Sequence, residues 1–233
     1  MSLSDEIFDQ CWLFVRGDMT VSEFEKWIYE ASELESFFPE DFYMNLISTN
    51  YSLESEVYVL KQSLKNEIAE LATRDCECHT LPNLADVDMG DHAEIFATLD
   101  EKAKFGEPLW WLWLAQCSAC EQFWMIGSEE RMNDVFVMKR LSSSASLGVL
   151  QDGRWPDDFK EYRTLLGIGR ERGHSVRFVD PIAASLIHTV IDLAKAEPGI
   201  GLQEIATLLQ VDIDQAESIA YTAENRARIS ISR

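Results

Sequence analysis

Four of the five cysteines fall into two close pairs: Cys76 and Cys78 in "CECHT", and Cys117 and Cys120 in "AQCSACEQF". Thiols at such spacings support three kinds of chemistry: disulfide formation, thiol–disulfide exchange and metal ligation. The amino terminus, "MSLSDEIFDQ", carries acids where an export signal needs a basic stretch before an apolar one. The chain therefore reads as cytoplasmic, where thiols stay reduced and disulfides are disfavoured. A redox C-x2-C motif opens a helix in a βαβ unit, whereas this one sits between strand-like segments. Metal ligation fits best. A C-x2-C turn aims both sulfurs at one centre, and a second pair closes the tetrahedron that Zn2+ prefers. The expected ligands are Cys76, Cys78, Cys117 and Cys120. His79 is the alternative to Cys78, because Cys76 and His79 form a C-x2-H pair. A closed four-ligand site leaves no position for water or substrate, so the zinc is expected to be structural. The plainer alternative is four buried thiols without metal. Cys11, between Gln10 and Trp12 in a helical pattern, reads as a core residue.

The elements that position the second pair are strands. "LWWLWLAQ" is aromatic and strand-like, "CSAC" is the turn, and "EQFWMIG" returns. "SEERM" connects to a third strand, "NDVFVMKRL" (133–141). This is the layout of a zinc ribbon, in which a metal and a small antiparallel sheet replace a hydrophobic core. The flanks are helical. Ile7, Phe8, Cys11, Trp12 and Val15 recur at helical spacing, and Gly17 ends the run. "TVSE" (20–23) is a capping-box pattern that opens a helix carrying Phe24, Trp27 and Ile28. Pro39 suits the first turn of the next helix. Val57, Leu60, Leu64, Ile68 and Leu71 make the apolar stripe of a longer one. "DVDMGD" is no calcium loop, since Gly90 and Ala97 occupy positions that need ligands. "SSSAS" (142–146) reads as a linker or loop, and "GIGRERG" (167–173) as a basic turn. Asp180–Pro181 should cap a helix running through Leu193. "LQEIATLLQV" and "DQAESIAYTAENRARI" then form a helix-turn-helix-like pair.

The expected fold class is α+β, in four parts. Residues 1–75 are an acidic helical bundle, 76–145 a zinc-ribbon-like antiparallel β module, 146–179 a connecting segment, and 180–233 a helix-turn-helix-like helical part. The longest greasy patch, "PLWWLWLA", is eight residues, too short to cross a bilayer. Forty-one acids against twenty bases leave a net charge of −21. Residues 1–75 alone carry 16 acids and 5 bases. Such a surface repels phosphate backbones and accelerates encounter with a basic protein. The second helix of the C-terminal pair starts with Asp214, Gln215, Glu217 and Ser218, the wrong face for DNA, so it is read as a packing or protein-contact element. His79, His92, His174 and His188 are scattered, and no nucleophile elbow, metalloprotease motif or phosphate loop is present.

"WLFVRGDMTVSEFEKWIYEASELESFFPEDFYMNLISTNY" (12–51) carries F-E-x-W-x-Y, then L-E, then Y-x-x-L-I-x-x-Y. It resembles a module of uncharacterised bacterial proteins, some of which look like immunity proteins of toxin systems. "WWLWLAQCSACEQFWMIGSEERMNDVFVMKRL" (110–141) is similar to the zinc-ribbon part of such chains. The resemblance implies no agreed activity; with the acidic charge it leads to the expectation of a non-catalytic, immunity-like protein that binds a basic partner, such as a nuclease toxin. Trp12, Trp27, Tyr29, Tyr43 and Tyr51 would be aromatic anchors where exposed, and core residues otherwise. A regulatory factor using the C-terminal helices on DNA is the alternative; oligomeric state has no signature in the sequence.

Overall fold

The computed structural model describes residues 3–71, 76–105, 112–128, 130–132, 134–176 and 184–233. The fold is α+β. By internal contacts the chain divides into two compact units, Met1–Asn83 and Leu84–Arg233.

The first unit contains five described helices: α1 (Leu3–Val15), α2 (Val21–Glu30), α3 (Leu34–Phe37), α4 (Glu40–Ser48) and α5 (Glu54–Leu71). Gly17, at φ +86°, allows the left-handed turn after α1. Thr20 and Glu23 then form the expected capping box. The Thr20 hydroxyl accepts from the Glu23 amide, and the Glu23 carboxylate accepts from the Thr20 amide. The core gathers Ile7, Cys11, Trp12 and Phe14 of α1, Phe24 and Ile28 of α2, and Leu60, Leu64 and Ile68 of α5. Phe14 and Phe24 stack with ring centroids 3.7 Å apart.

The second unit is built on a five-stranded antiparallel sheet of order β1-β5-β4-β3-β2. Its strands are β1 (Leu84–Asp88), β2 (Leu99–Lys104), β3 (Leu112–Cys117), β4 (Phe123–Ser128) and β5 (Val135–Leu141). A short helix, α6 (Ala93–Ala97), separates β1 from β2. The three inner strands are those expected from the sequence; the two outer ones are additional. After the sheet come α7 (Ser143–Asp152), α8 (Tyr162–Glu171), α9 (Ala184–Ala196), α10 (Leu202–Leu209) and α11 (Ile213–Ala227). Among the described residues no helix is long and apolar enough to cross a membrane.

Three expectations need correction. Residues 142–146 are not a loop: the Ser142 hydroxyl accepts from the Ala145 amide and caps α7. "GIGRERG" is not a turn. Its first five residues continue α8, and Arg172 and Gly173 end it, because Leu165 and Leu166 of that helix are fully buried. Packing thus overrides the helix penalty of Gly167 and Gly169. Finally, the sheet does not substitute for a core. Leu112, Leu114, Met125 and Val137 share one cluster with Leu165, Leu166, Leu186, Val190, Ile205 and Ile219. Segment 146–179 belongs to that core through Val149, Phe159 and Tyr162. A Cβ at Gly127 would lie 2.9 Å from Leu165 Cδ1, so glycine is what lets α8 approach β4 this closely. The Asp180–Pro181 cap lies outside the described residues.

Candidate metal centre

The downstream pair is set by a hairpin. Cys117 ends β3, and its amide donates to the Gln122 carbonyl at 2.9 Å. The Glu121 amide donates back to the Cys117 carbonyl at 2.9 Å. Closing this loop places Glu121 at φ +61°, uncommon for a residue with a side chain. The Ser118 amide donates to the Thr98 carbonyl at 2.8 Å, tying the turn to the start of β2. Cys117 Sγ lies 3.4 Å from Thr98 Oγ1. The thiol donates to that hydroxyl oxygen, and the Thr98 hydroxyl in turn donates to the Ile95 carbonyl at 3.0 Å.

The upstream pair lies on a tight turn. Cys78–Thr80 is a single 3-10 turn, closed by the Thr80 amide and hydroxyl, both donating to the Glu77 carbonyl at 2.9 Å. Side chains of the first unit hold this segment. Arg16 Nη1 donates to the His79 carbonyl at 3.0 Å and pairs with Asp18 at 2.6 Å. Asp18 also accepts from the Asn83 amide at 2.8 Å.

The Sγ atoms of Cys76, Cys78, Cys117 and Cys120 all lie within 4.8 Å of one another. Four sulfurs about 2.3 Å from a central ion form a tetrahedron with edges of about 3.8 Å. The four ligand atoms are close enough together to hold one metal ion. Cys76, Cys78 and Cys117 are buried, and Cys120 is exposed. His79 is not in the group; its ring packs edge-on against Trp12, with centroids 4.7 Å apart. Cys11 sits in the first unit's core, where burial pushes its thiol far above the ordinary range and makes it inert.

A second polar cluster has no sequence signature. In the second unit, Asp86 of β1 pairs with Arg172, and its other oxygen lies 3.3 Å from His174 Nε2. Burial pushes the Asp86 pKa up, but His174 and Arg172 outweigh it and hold the carboxyl below its ordinary value. These residues line a cavity of about 320 Å3 with Asp88, Asp91, Met132 and Val135. Separation by some 86 positions in sequence hid the cluster.

Of the expected aromatic anchors, Trp12 and Tyr51 are core residues, Trp27 and Tyr43 are half-buried, and Tyr29 is 62% exposed. At the C-terminal end, Gln210 takes a left-handed conformation, and Asp212 and Gln215 form a capping box that opens α11. Asp214, Glu217 and Ser218 of its first turns are exposed. Compared with protein-family models, curated proteins and solved structures, the chain gives no match.

Proposed function

We propose that the chain is a non-catalytic, zinc-stabilised protein-binding module of the cytoplasm, immunity-like in action, whose acidic N-terminal helices dock a basic protein partner. The observation that carries this reading is charge. Residues 1–83 hold 17 acidic and 5 basic side chains, a net of −12. Tyr29 and Tyr58, 62% and 65% exposed, offer aromatic contact area on the same unit. A nuclease toxin suits such a surface, because a protein that grips a polyanion is itself basic.

In this reading Cys76, Cys78, Cys117 and Cys120 hold one Zn2+ as thiolates, and β3, β4 and β5 act as the zinc-ribbon-like element. With four sulfur ligands the ion contributes folding energy and leaves no place for a reacting water. Helices α1–α5 serve as a bundle. Helices α10 and α11 serve as a helix-turn-helix-like pair used for packing: Ile205, Leu209, Ile219 and Ala223 are buried, and the exposed acids at the start of α11 repel DNA.

Two measurements test the proposal. Elemental analysis should find one zinc per chain, lost in Cys78→Ser and in Cys117→Ser but kept in Cys11→Ser; metal-free native protein overturns the zinc assignment. Titration against the product of an adjacent toxin-like reading frame should give tight, salt-sensitive, saturable binding with inhibition. Binding no tighter than to an unrelated basic protein such as cytochrome c overturns the docking assignment.

A further inference from the structure

On the first unit a groove of about 270 Å3 is lined by Glu6 and Ile7 of α1, Trp27 and Glu30 of α2, and Ala31 and Glu33 just beyond. Ile7 is 4% exposed and Trp27 is half-buried, with Phe24 against its ring at 5.5 Å. Glu6, Glu30 and Glu33 are all exposed. The groove is thus lined by one indole, two aliphatic side chains and three exposed carboxylates. Its volume falls below the roughly 300–1,000 Å3 of pockets for drug-sized ligands, which matches a single side chain.

The chemistry of the rim selects the occupant. Three carboxylates reject anions and favour a cation. A guanidinium stacks flat on an indole while its in-plane N–H groups reach carboxylates on either side. A lysine ammonium is a compact, strongly hydrated charge and cannot make both contacts at once. An internal rival is Lys26, whose Nζ lies 3.8 Å from Glu30 with both side chains mostly exposed. Such a pair contributes about 0–1 kcal/mol and yields easily to a better-placed cation.

We propose that this groove receives an arginine side chain of a basic protein partner, with Trp27 as the stacking face and Glu6, Glu30 and Glu33 as acceptors. The proposal rests on the docking role assigned above to the acidic helices and adds its anchor point. Charge complementarity with a unit of net charge −12 supports that choice of partner.

The test uses the full-length protein, a capped oligo-arginine peptide and a matched oligo-lysine peptide at low ionic strength. Binding is followed by the indole N–H resonances in a nitrogen–proton correlation spectrum. The Trp27 signal is identified by its loss in Trp27→Phe. Oligo-arginine should shift the Trp27 resonance saturably, and oligo-lysine should bind several-fold more weakly. The double variant Glu30→Gln, Glu33→Gln should weaken oligo-arginine binding about tenfold, near 1.4 kcal/mol. Both positions are exposed, so an unchanged melting temperature confirms that the variant folds. If oligo-arginine binds without moving Trp27, or binds the double variant as tightly as the parent, the groove assignment is overturned while docking by the acidic helices stands. If neither peptide binds, both are overturned.

Discussion

Residues 1–83 carry 17 acidic and 5 basic side chains; residues 84–233 carry 24 and 15, for a net of −9 over a far longer stretch. Several of the second unit's cations make contacts within it. Arg163 pairs with Glu197 and Glu204, Arg172 with Asp86, and Arg131 is fully buried. The first unit has few cations to place. Arg16 meets Asp18, and Lys61 lies 4.7 Å above the Phe14 ring, where burial pulls its pKa down. Like charges repel, so an acid excess of this size opposes compaction. The first unit packs an aromatic and aliphatic core, and most of its described acids are exposed. Buried and half-buried charged contacts tie elements of the second unit together, whereas in the first, apart from local contacts such as those of Asp18 and Glu23, most of the described acids face outward.

That difference breaks most sharply at Arg131, which follows β4 and has zero exposure. Its guanidinium donates to the Leu208 carbonyl near the end of α10 at 2.8 Å and to the Leu166 carbonyl of α8 at 2.7 Å. Two charged hydrogen bonds and a filled space disappear in Arg131→Ala, which should lower stability by about 3 kcal/mol or more. Arg131→Lys should recover part of this, since one ammonium cannot span both carbonyls. Urea unfolding of the full chain reads the effect. An unchanged midpoint for Arg131→Ala would mean that buried charge does not hold this unit together.

Asp86 sharpens the same point through pH. Its folded pKa lies below the ordinary value, so it contributes stability above the unfolded pKa of about 3.9 and loses it as pH falls through the folded one. Asp86→Asn should therefore lower stability by about 1–2 kcal/mol at neutral pH, the worth of a partly buried charged hydrogen bond. The gap between parent and variant should close once the pH drops well below 3.9. A gap that persists in acid would show that the asparagine disturbs packing and not charge.

The sequence made some of this architecture readable. The C-x2-C hairpin and the three inner strands stood out because aromatic and β-branched residues alternate around a turn. The Thr20–Glu23 box was visible because its residues are local. Thr20→Ala should cost about 1 kcal/mol in thermal or urea unfolding, the usual worth of an N-cap. What stayed hidden depended on partners distant in the chain. Strand β2 reads "LDEKAK", with no strand-forming pattern, yet it pairs with β3 and carries a bulge between Glu101 and Ala103. Strand β1 buries only Ala85 and Val87. Helix α8 contains two glycines and holds together because its leucines enter a core built by residues before and after it. Local pattern found the metal-site candidates; only the fold could reveal Arg131 and the Asp86 cluster.

The smallest effect discriminates the two units most directly, because one kind of substitution should change sign between them. Glu197→Gln removes the carboxylate that Arg163 holds with two nitrogens. Glu197 and Arg163 hold side-chain exposures of 37% and 30%, so screening limits the loss to about 0.5 kcal/mol. Glu33→Gln in the first unit removes an exposed carboxylate from an acid-rich surface. Relieved repulsion should leave stability unchanged or raised, by less than about 0.5 kcal/mol. Salt separates the two causes. Added salt should shrink any gain from Glu33→Gln, because the parent's repulsion is then already screened. It should shrink the loss from Glu197→Gln less, since a paired, partly buried contact is screened less than an open one. If both variants lose stability to the same degree, the acids of the first unit are as structural as those of the second, and the case for an outward-facing charge falls.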